Sequence, residues 1–576
     1  MHDLVVRGGT LVDGTDAEPR TADVAIDAGR ITEVGRLDDT TAKETVDADG
    51  LLVTPGFVDI HTHYDGQVTW DPLLSPSCWH GVTTLVMGNC GVGFAPVRPG
   101  SEEWLIQLME GVEDIPGTAL TEGITWGWET YPEYLDAIGK QKFAIDVGSQ
   151  VAHGAIRAYA MGERGARNEP ATPDDIAAMA AIVKEGIAAG ALGFSTSRTI
   201  MHRAVDGEPV PGTFAAEDEL FGIGAALAEL GAGVFELAPA GVMGEDLLAP
   251  EREVDWMRRL STAIRRPVSF ILEQHNHAPE QWRELLKRAE DANAGGADLR
   301  PQVAGRPLNM LVGFQTFHPF TWRPTYARLS DLPLRQRIVE LRKPEIRAAI
   351  LSEESVNANP VAQYVVASLD RIFPMGEPPN YEPSPETSVA AIARREGRSE
   401  EEVLYDLMLR HDGRELLMFA LLGYSYGNLD DMREMLVHPM CALGLSDGGA
   451  HCGVICDASM PTFVLAHWAR DRDRGEKLPL PVAVSKVTRE PARLYGLHDR
   501  GVVAPGMKGD VNLIDFDNLN LKLPELVFDL PGGARRLVQH ADGYVATIVS
   551  GQVTMRGGHD TGARPGRLLR GARESG

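Results

Sequence analysis

Cysteine is scarce. The five present, Cys78, Cys90, Cys441, Cys452 and Cys456, are too few and too scattered over 576 residues to form a disulfide framework, and the odd count leaves at least one thiol free. Basic residues are outnumbered, 55 Lys and Arg against 82 Asp and Glu, giving a formal net charge of −27. A surface that negative repels phosphate backbones and anionic lipid, so neither nucleic acid nor a membrane is expected as a partner. No apolar run reaches the roughly 20 residues that a membrane helix needs. The start, Met1-His2-Asp3-Leu4-Val5-Val6, has no basic region followed by an apolar stretch, and a cytoplasmic location is expected.

Hydrophobic residues make up 43% and charged ones 24%, which sets aside bulk disorder and fibrous classes. The length is several times the roughly 100 to 200 residues of one domain, so a large core domain with a smaller one is expected. The first 50 residues read as short strands, such as Leu4-Val5-Val6-Arg7 and Ile31-Thr32-Glu33-Val34, separated by Gly8-Gly9, Asp13-Gly14 and Asp27-Ala28-Gly29 turns. Asp510 to Phe516 and Val545 to Met555 look alike. Each end has too few strands to stand alone, and pairing the two gives one small β domain.

Between them, apolar strand-like runs (Leu85 to Gly88, Ile145 to Gly148, Leu192 to Ser195, Gly233 to Glu236, Val268 to Ile271, Ala442 to Asp447) alternate with helical stretches. One helix starts at Pro173, with Thr172 as its N-cap. Repeated β-then-α order with buried strands argues for an α/β fold, a (β/α)8 TIM barrel with insertions. The expected layout is a β-sandwich part over 1–54, the barrel over 55–500 with a helical insertion at about 321–436, the other β-sandwich part over 501–558, and a mobile Arg- and Gly-rich tail over 559–576.

His61-Thr62-His63 places two imidazoles two residues apart. On a strand both rings project from one face and can share a metal ion. The same spacing recurs in His275-Asn276-His277, so context decides. The first pair ends an apolar strand, Leu51 to Ile60, whose carboxyl end lies where barrel enzymes keep their sites; the second lies in a polar loop.

Thr54-Pro55-Gly56-Phe57-Val58-Asp59-Ile60-His61-Thr62-His63, Gly81-Val82-Thr83-Thr84, Gly88-Asn89-Cys90-Gly91, Leu445-Ser446-Asp447-Gly448 and Arg500 to Asp510 together resemble the amidohydrolase superfamily and, within it, the N-acyl-D-amino-acid deacylases. The blocks span nearly the whole chain in the family's order. The resemblance implies a (β/α)8 barrel with a β-sandwich from both termini. It makes His61 and His63 first-strand ligands, Cys90 a thiolate ligand and Asp447 the catalytic carboxylate. Zinc accepts imidazole and thiolate, and a water bound to it ionises near pH 7. An Asp can take the attacking water's proton and pass it to the leaving nitrogen.

The family also supplies one histidine from the fifth strand and one from the sixth, where this chain has Phe235-Glu236-Leu237-Ala238-Pro239 and Phe270-Ile271-Leu272-Glu273-Gln274. The expectation is therefore one divalent ion per chain, zinc first, held by His61, His63 and Asp447 with Cys90 adding to the shell. Glu236, Glu273 and His275 stand as possible replacements. His153, in a segment resembling the family's Gly-His-x-x-x-Arg, is expected to polarise a carbonyl oxygen. Arg198 and Arg306 offer guanidinium forks for a substrate carboxylate, and His451, four residues beyond Asp447, is close enough to be a replacement ligand, an acid or a substrate-binding residue. Trp126, Trp128 and Tyr131 either line an apolar pocket or simply pack. The expected function is metal-dependent hydrolysis of a small amide, an N-acyl-amino acid and in particular an N-acyl-D-amino acid, by a homo-oligomer. The rivals are a cyclic amidase, lactonase or esterase with the same mechanism, and an inactive scaffold.

Overall fold

The computed structural model describes residues 1–571 except Asp39 and 357–359, and residues 360–362 by their backbone alone. Eight parallel strands alternate with helices: Phe57–Thr62, Val82–Met87, Asp146–Ala152, Gly193–Ser197, Val234–Ala238, Val268–Ile271, Leu299–Val303 and Ala442–Leu443. They are numbered one to eight below. All but two of the residues in these strands are buried, which is why they read as apolar runs and not as alternating patterns. The helix Pro173–Ala189 starts as its sequence predicts: the Thr172 side chain caps Asp175 N–H, and the Asp175 carboxylate returns the bond to Thr172.

Strand eight has only two residues in its ladder with strand seven. The chain beyond it closes the barrel against strand one, through Asp447 N–H donating to His61 O at 3.1 Å and His63 N–H donating to Gly448 O at 2.8 Å. The longer strand expected over Ala442 to Asp447 stops early because Leu445 (φ 62°) and Asp447 (φ 47°) adopt left-handed backbone.

Both termini build one nine-stranded sheet, with Val511–Ile514 pairing antiparallel to Leu52–Pro55. Leu4, Val6, Val24, Ile26, Val53, Leu513 and Ile548 share a single core, so the sheet wraps around its own apolar face. Among the described residues no helix is long and apolar enough to cross a membrane.

Two features differ from the sequence reading. The insertion between strands seven and eight is not only helical: Leu308–Val312, Ile372–Pro374 and Leu417–Leu422 form a three-stranded antiparallel sheet over a second core around Phe314, Tyr405 and Phe419. It therefore begins before residue 321. The tail expected to be mobile is ordered as far as Gly571. His559–Asp560 extends the terminal sheet, and the following residues run along strand three, with Val147 N–H donating to Arg567 O and Leu569 N–H to Val147 O. Leu568 and Leu569 are buried there; the part of that expectation covering 572–576 lies outside the described residues. Replacing Leu568 by Ala should cost about 2 kcal/mol or more, read as a lower midpoint in urea denaturation. An unchanged midpoint would remove the tail from the cooperative fold.

Candidate active site

The carboxyl ends of strands one, two, five and eight converge. His61 and His63 alternate around Thr62 and point the same way, each 1% exposed. His61 Nε2 lies 3.5 Å from Asp447 Oδ1 and His63 Nε2 lies 3.7 Å from the same oxygen. Cys90 Sγ is 3.3 Å from His61 Nε2. His61, His63 and Cys90 each offer a ligand atom within 4.8 Å of the others. Cys90 reaches this position through a tight turn after strand two. Gly88 has φ 83°, and a Cβ there would sit 2.5 Å from Gln150 O. Asn89 Nδ2 donates to Thr62 O and Val86 O at 3.1 Å each, and Cys90 itself has φ 54°.

Each of the two histidines is held from behind. His61 Nδ1 is 2.9 Å from Gln302 Oε1, and Gln302 Nε2 donates to Ser269 Oγ, so the amide oxygen faces the ring. With the proton on Nδ1, the Nε2 lone pair is free for a cation. His63 Nδ1 faces Glu113 Oε1 at 3.4 Å.

Acids crowd around this focus. Glu236, on strand five, accepts Cys90 N–H at 3.2 Å through Oε2. Its Oε1 lies 3.9 Å from His61 Nδ1 and has no hydrogen-bond partner. Glu273 accepts Ala304 N–H through Oε1, and its Oε2 is also unpaired. Burial first, and the Asp447 charge after it, push both carboxyls up to about 8. Burial raises Glu113 and the Cys90 thiol well above their ordinary values, and it pushes His61 down to about 4. Asp447 goes the other way: burial works to raise it, but the His63 hydrogen bond and the His61 charge outweigh burial and hold it below the carboxylate range. Orphaned buried oxygens around two imidazoles and a thiol fit a divalent cation.

The other expected residues are placed as follows. His451 is at the site, its Nε2 3.8 Å from Asp447 Oδ2 and 3.7 Å from Glu113 Oε2. His153 does not offer a nitrogen to a substrate: Nδ1 meets Thr196 Oγ1 at 2.8 Å and Nε2 meets Glu219 Oε1 at 2.9 Å. Arg157, one helical turn on, grips the same carboxylate. Arg198 and Arg306 are likewise engaged internally. Arg198 pairs with Glu253 at 2.9 Å and lies over Trp256. Arg306, 1% exposed, pairs with Asp457 at 2.6 Å and stacks on Tyr381. His275 bonds Gln281 and Ala278 and replaces no ligand. Trp126, Trp128 and Tyr131 pack in a chain of rings with Phe94 and Tyr134.

Two residues escaped the sequence reading. Glu113 ends a helix outside every family block, and His202, in the loop after strand four, bonds Ser197 and is pushed down to about 3, by burial first and by its neighbours His451 and His63 after it. Position after a barrel strand was the only signal for His202. Nearby, a cavity of about 240 Å³ is walled by Met201, Met243, Tyr364, Leu421 and Leu422, with Glu245, Asn276 and His277 at its edge.

The chain matches the profile described as the amidohydrolase family over residues 44–555. It is 26% identical to the D-aminoacylase of Alcaligenes xylosoxydans xylosoxydans over 579 residues, covering 98% of this chain and 97% of that protein. It is 27% identical to the N-acyl-D-glutamate deacylase of the same organism over 577 residues, covering 99% and 96%. A solved structure of D-aminoacylase, a protein described with a binuclear metal centre, has a TM-score of 0.65 at 24% identity, covering 99% of this chain and 100% of that one; at that identity the likeness shows the fold. A barrel of this order, a cation-ready focus at its rim and a profile match over most of its length agree: this chain belongs to the amidohydrolase family and is a hydrolase of carbon-nitrogen bonds other than peptide bonds.

Proposed function

We propose that this chain hydrolyses N-acyl-amino acids, N-acyl-D-amino acids in particular, using one zinc ion held by His61, His63, Asp447 and Cys90. The observation that carries the reading is the convergence of both His Nε2 atoms on one Asp447 oxygen, with Cys90 Sγ beside His61. A divalent cation there would supply Lewis acidity for the amide carbonyl and lower the pKa of a water to about 7. The protein's own groups do the rest. Asp447 is ionised at neutral pH and can accept the attacking water's proton on Oδ2, the oxygen turned toward His451. It then returns the proton to the leaving nitrogen. His451, partly exposed at the rim, stands where it can orient that nitrogen.

Single occupancy is supported by the donor set: glutamates stand where the family's fifth- and sixth-strand histidines would be. The apolar walls of the 240 Å³ cavity support a substrate with an apolar substituent. Among the described residues no Lys or Arg lines it, which argues against an acidic side chain there.

Asp447→Asn should lower turnover of an N-acyl-amino acid by about a thousandfold or more with the fold kept by circular dichroism; unchanged turnover would remove Asp447 from the mechanism. A panel of N-acyl-amino acids in both enantiomers should give hydrolysis, faster for D and for apolar side chains. Inertness toward all of them, with turnover of cyclic amides, lactones or esters instead, would replace the substrate class.

Metal loading gives a second test. Burial keeps the Cys90 thiol and the Glu236 carboxyl protonated without a cation, and ligation requires a thiolate. Zinc binding to metal-stripped protein should therefore release protons and tighten as pH rises from 6 to 8, because the displaced protons are released against a lower proton activity. Calorimetry in buffers of different ionisation enthalpy measures the release. Cys90→Ala should release at least one proton fewer, and an equal release would exclude the thiolate.

A further inference from the structure

Glu113 is unfavourably placed for an isolated carboxylate. It is 2% exposed and is the last residue of the helix Glu102–Glu113, at the end where the helix dipole repels an anion. Among the described residues no Lys or Arg pairs with it, and its ion-pair partners are both histidines. Oε1 lies 3.4 Å from Nδ1 of His63, and Oε2 lies 3.7 Å from Nε2 of His451. His451 Nε2 is in turn 3.8 Å from Asp447 Oδ2. Oε1 and His63 Nδ1 face each other without hydrogen-bond geometry, and neither has another partner.

The backbone repeats this link independently of the side chain. His451 N–H donates to Glu113 O, Cys452 N–H to Asp114 O at 3.1 Å, and Gly453 N–H to Asp114 Oδ2 at 2.8 Å. The loop bearing Asp447 and His451 is thus strapped to the end of the helix that carries Glu113.

We propose that Glu113 is a positioning residue for the metal-dependent reaction, its carboxyl group set against His63 and His451 together and so placing both relative to Asp447. The inference rests on the metal site proposed above. Placed 3.4 Å from Nδ1, Oε1 offers an acceptor for a proton on that nitrogen, which would leave Nε2 for the cation. Its other oxygen fixes the His451 ring beside the Asp447 oxygen that handles the proton. One side chain therefore joins the ligand on strand one to the loop after strand eight. Asp447 also lies between the two rings, its Oδ1 3.7 Å from His63 Nε2 and its Oδ2 3.8 Å from His451 Nε2, whereas Glu113 meets His63 at the other nitrogen, Nδ1.

The test uses the full-length chain, stripped of metal and titrated with zinc against a chelating indicator. Glu113→Gln preserves shape and leaves the three backbone bonds in place, so its melting temperature should stay within a few degrees of the original. Its zinc affinity should fall by about 10- to 100-fold, and cobalt bound in place of zinc should show a shifted visible spectrum. Glu113→Asp, which keeps the carboxyl group on a shorter arm, should recover part of the affinity and serves as the probe if the Gln variant does not fold. Combined with His451→Ala in a double-mutant cycle on kcat, the Gln change should cost less than it does alone, because the contact is already gone. Affinity and cobalt spectrum unchanged in Glu113→Gln, or kcat losses that simply multiply, would overturn the proposal. If the unaltered chain binds zinc but hydrolyses no amide, the assigned reaction fails while the role of Glu113 in the zinc titration stands.

Discussion

The seam of the barrel is where the site comes into being. Strand eight contributes two residues to its ladder and then leaves regular geometry, so closure depends on the backbone bonds that Asp447 and Gly448 exchange with His61 and His63. The Ser446 hydroxyl adds bonds to Asp59 and to His61 O. The bonds that close the barrel therefore also set the spacing between the two imidazoles and the aspartate. Left-handed backbone at Leu445, Asp447 and His451 costs on the order of 1 to 3 kcal/mol each, and the seam bonds hold the loop in that shape. Glycine fits beside it for steric reasons: a Cβ on Gly449 would meet His63 O at 3.1 Å.

Around this seam the protein has buried acids with almost no fixed positive charge among them. Asp59 and Asp65 are pushed up to about 7 and Glu236 and Glu273 to about 8, burial being the main cause in each. Like charges so close in a low-dielectric interior cannot all ionise. Arg306 is near but is committed to Asp457. The cluster has two ways to approach neutrality, holding protons or holding a cation, and the ionised Asp447 between two imidazoles is where a cation is accommodated with the least rearrangement. The net charge of the chain belongs to its surface; this local imbalance belongs to its chemistry.

The barrel, the pairing of the two ends and the His61, His63, Cys90 and Asp447 focus were legible in the sequence, because each depends on local pattern: apolar strands ending in polar residues, or short blocks with family spacing. The insertion's sheet was not, since Leu417-Met418-Phe419-Ala420-Leu421-Leu422 is made of residues that suit a helix equally and becomes a strand only by pairing with segments far along the chain. The tail misled in the same way: Arg- and Gly-rich composition suggests mobility, yet Leu568 and Leu569 find a groove beside strand three. His153, Arg198 and Arg306 have residue types fit for catalysis or binding, and only the fold reveals that Glu219, Glu253 and Asp457 already occupy them. Glu113 carried no sequence signal because its importance comes from a contact across the barrel seam.

The fifth strand shows how a site can change one donor without losing its geometry. A histidine at Glu236 would present one nitrogen to a cation. Glu236 has two oxygens and divides them: Oε2 accepts the Cys90 N–H, and Oε1 faces His61 Nδ1 at 3.9 Å. The first contact steadies Cys90 in its left-handed conformation and so aims the thiol at His61. The second sets an oxygen behind a ring whose other nitrogen faces Asp447. The glutamate thus acts on two ligands from behind. The strand-five position keeps an oxygen beside Cys90 and His61, and the geometry of the focus at the rim stays tied to the seam.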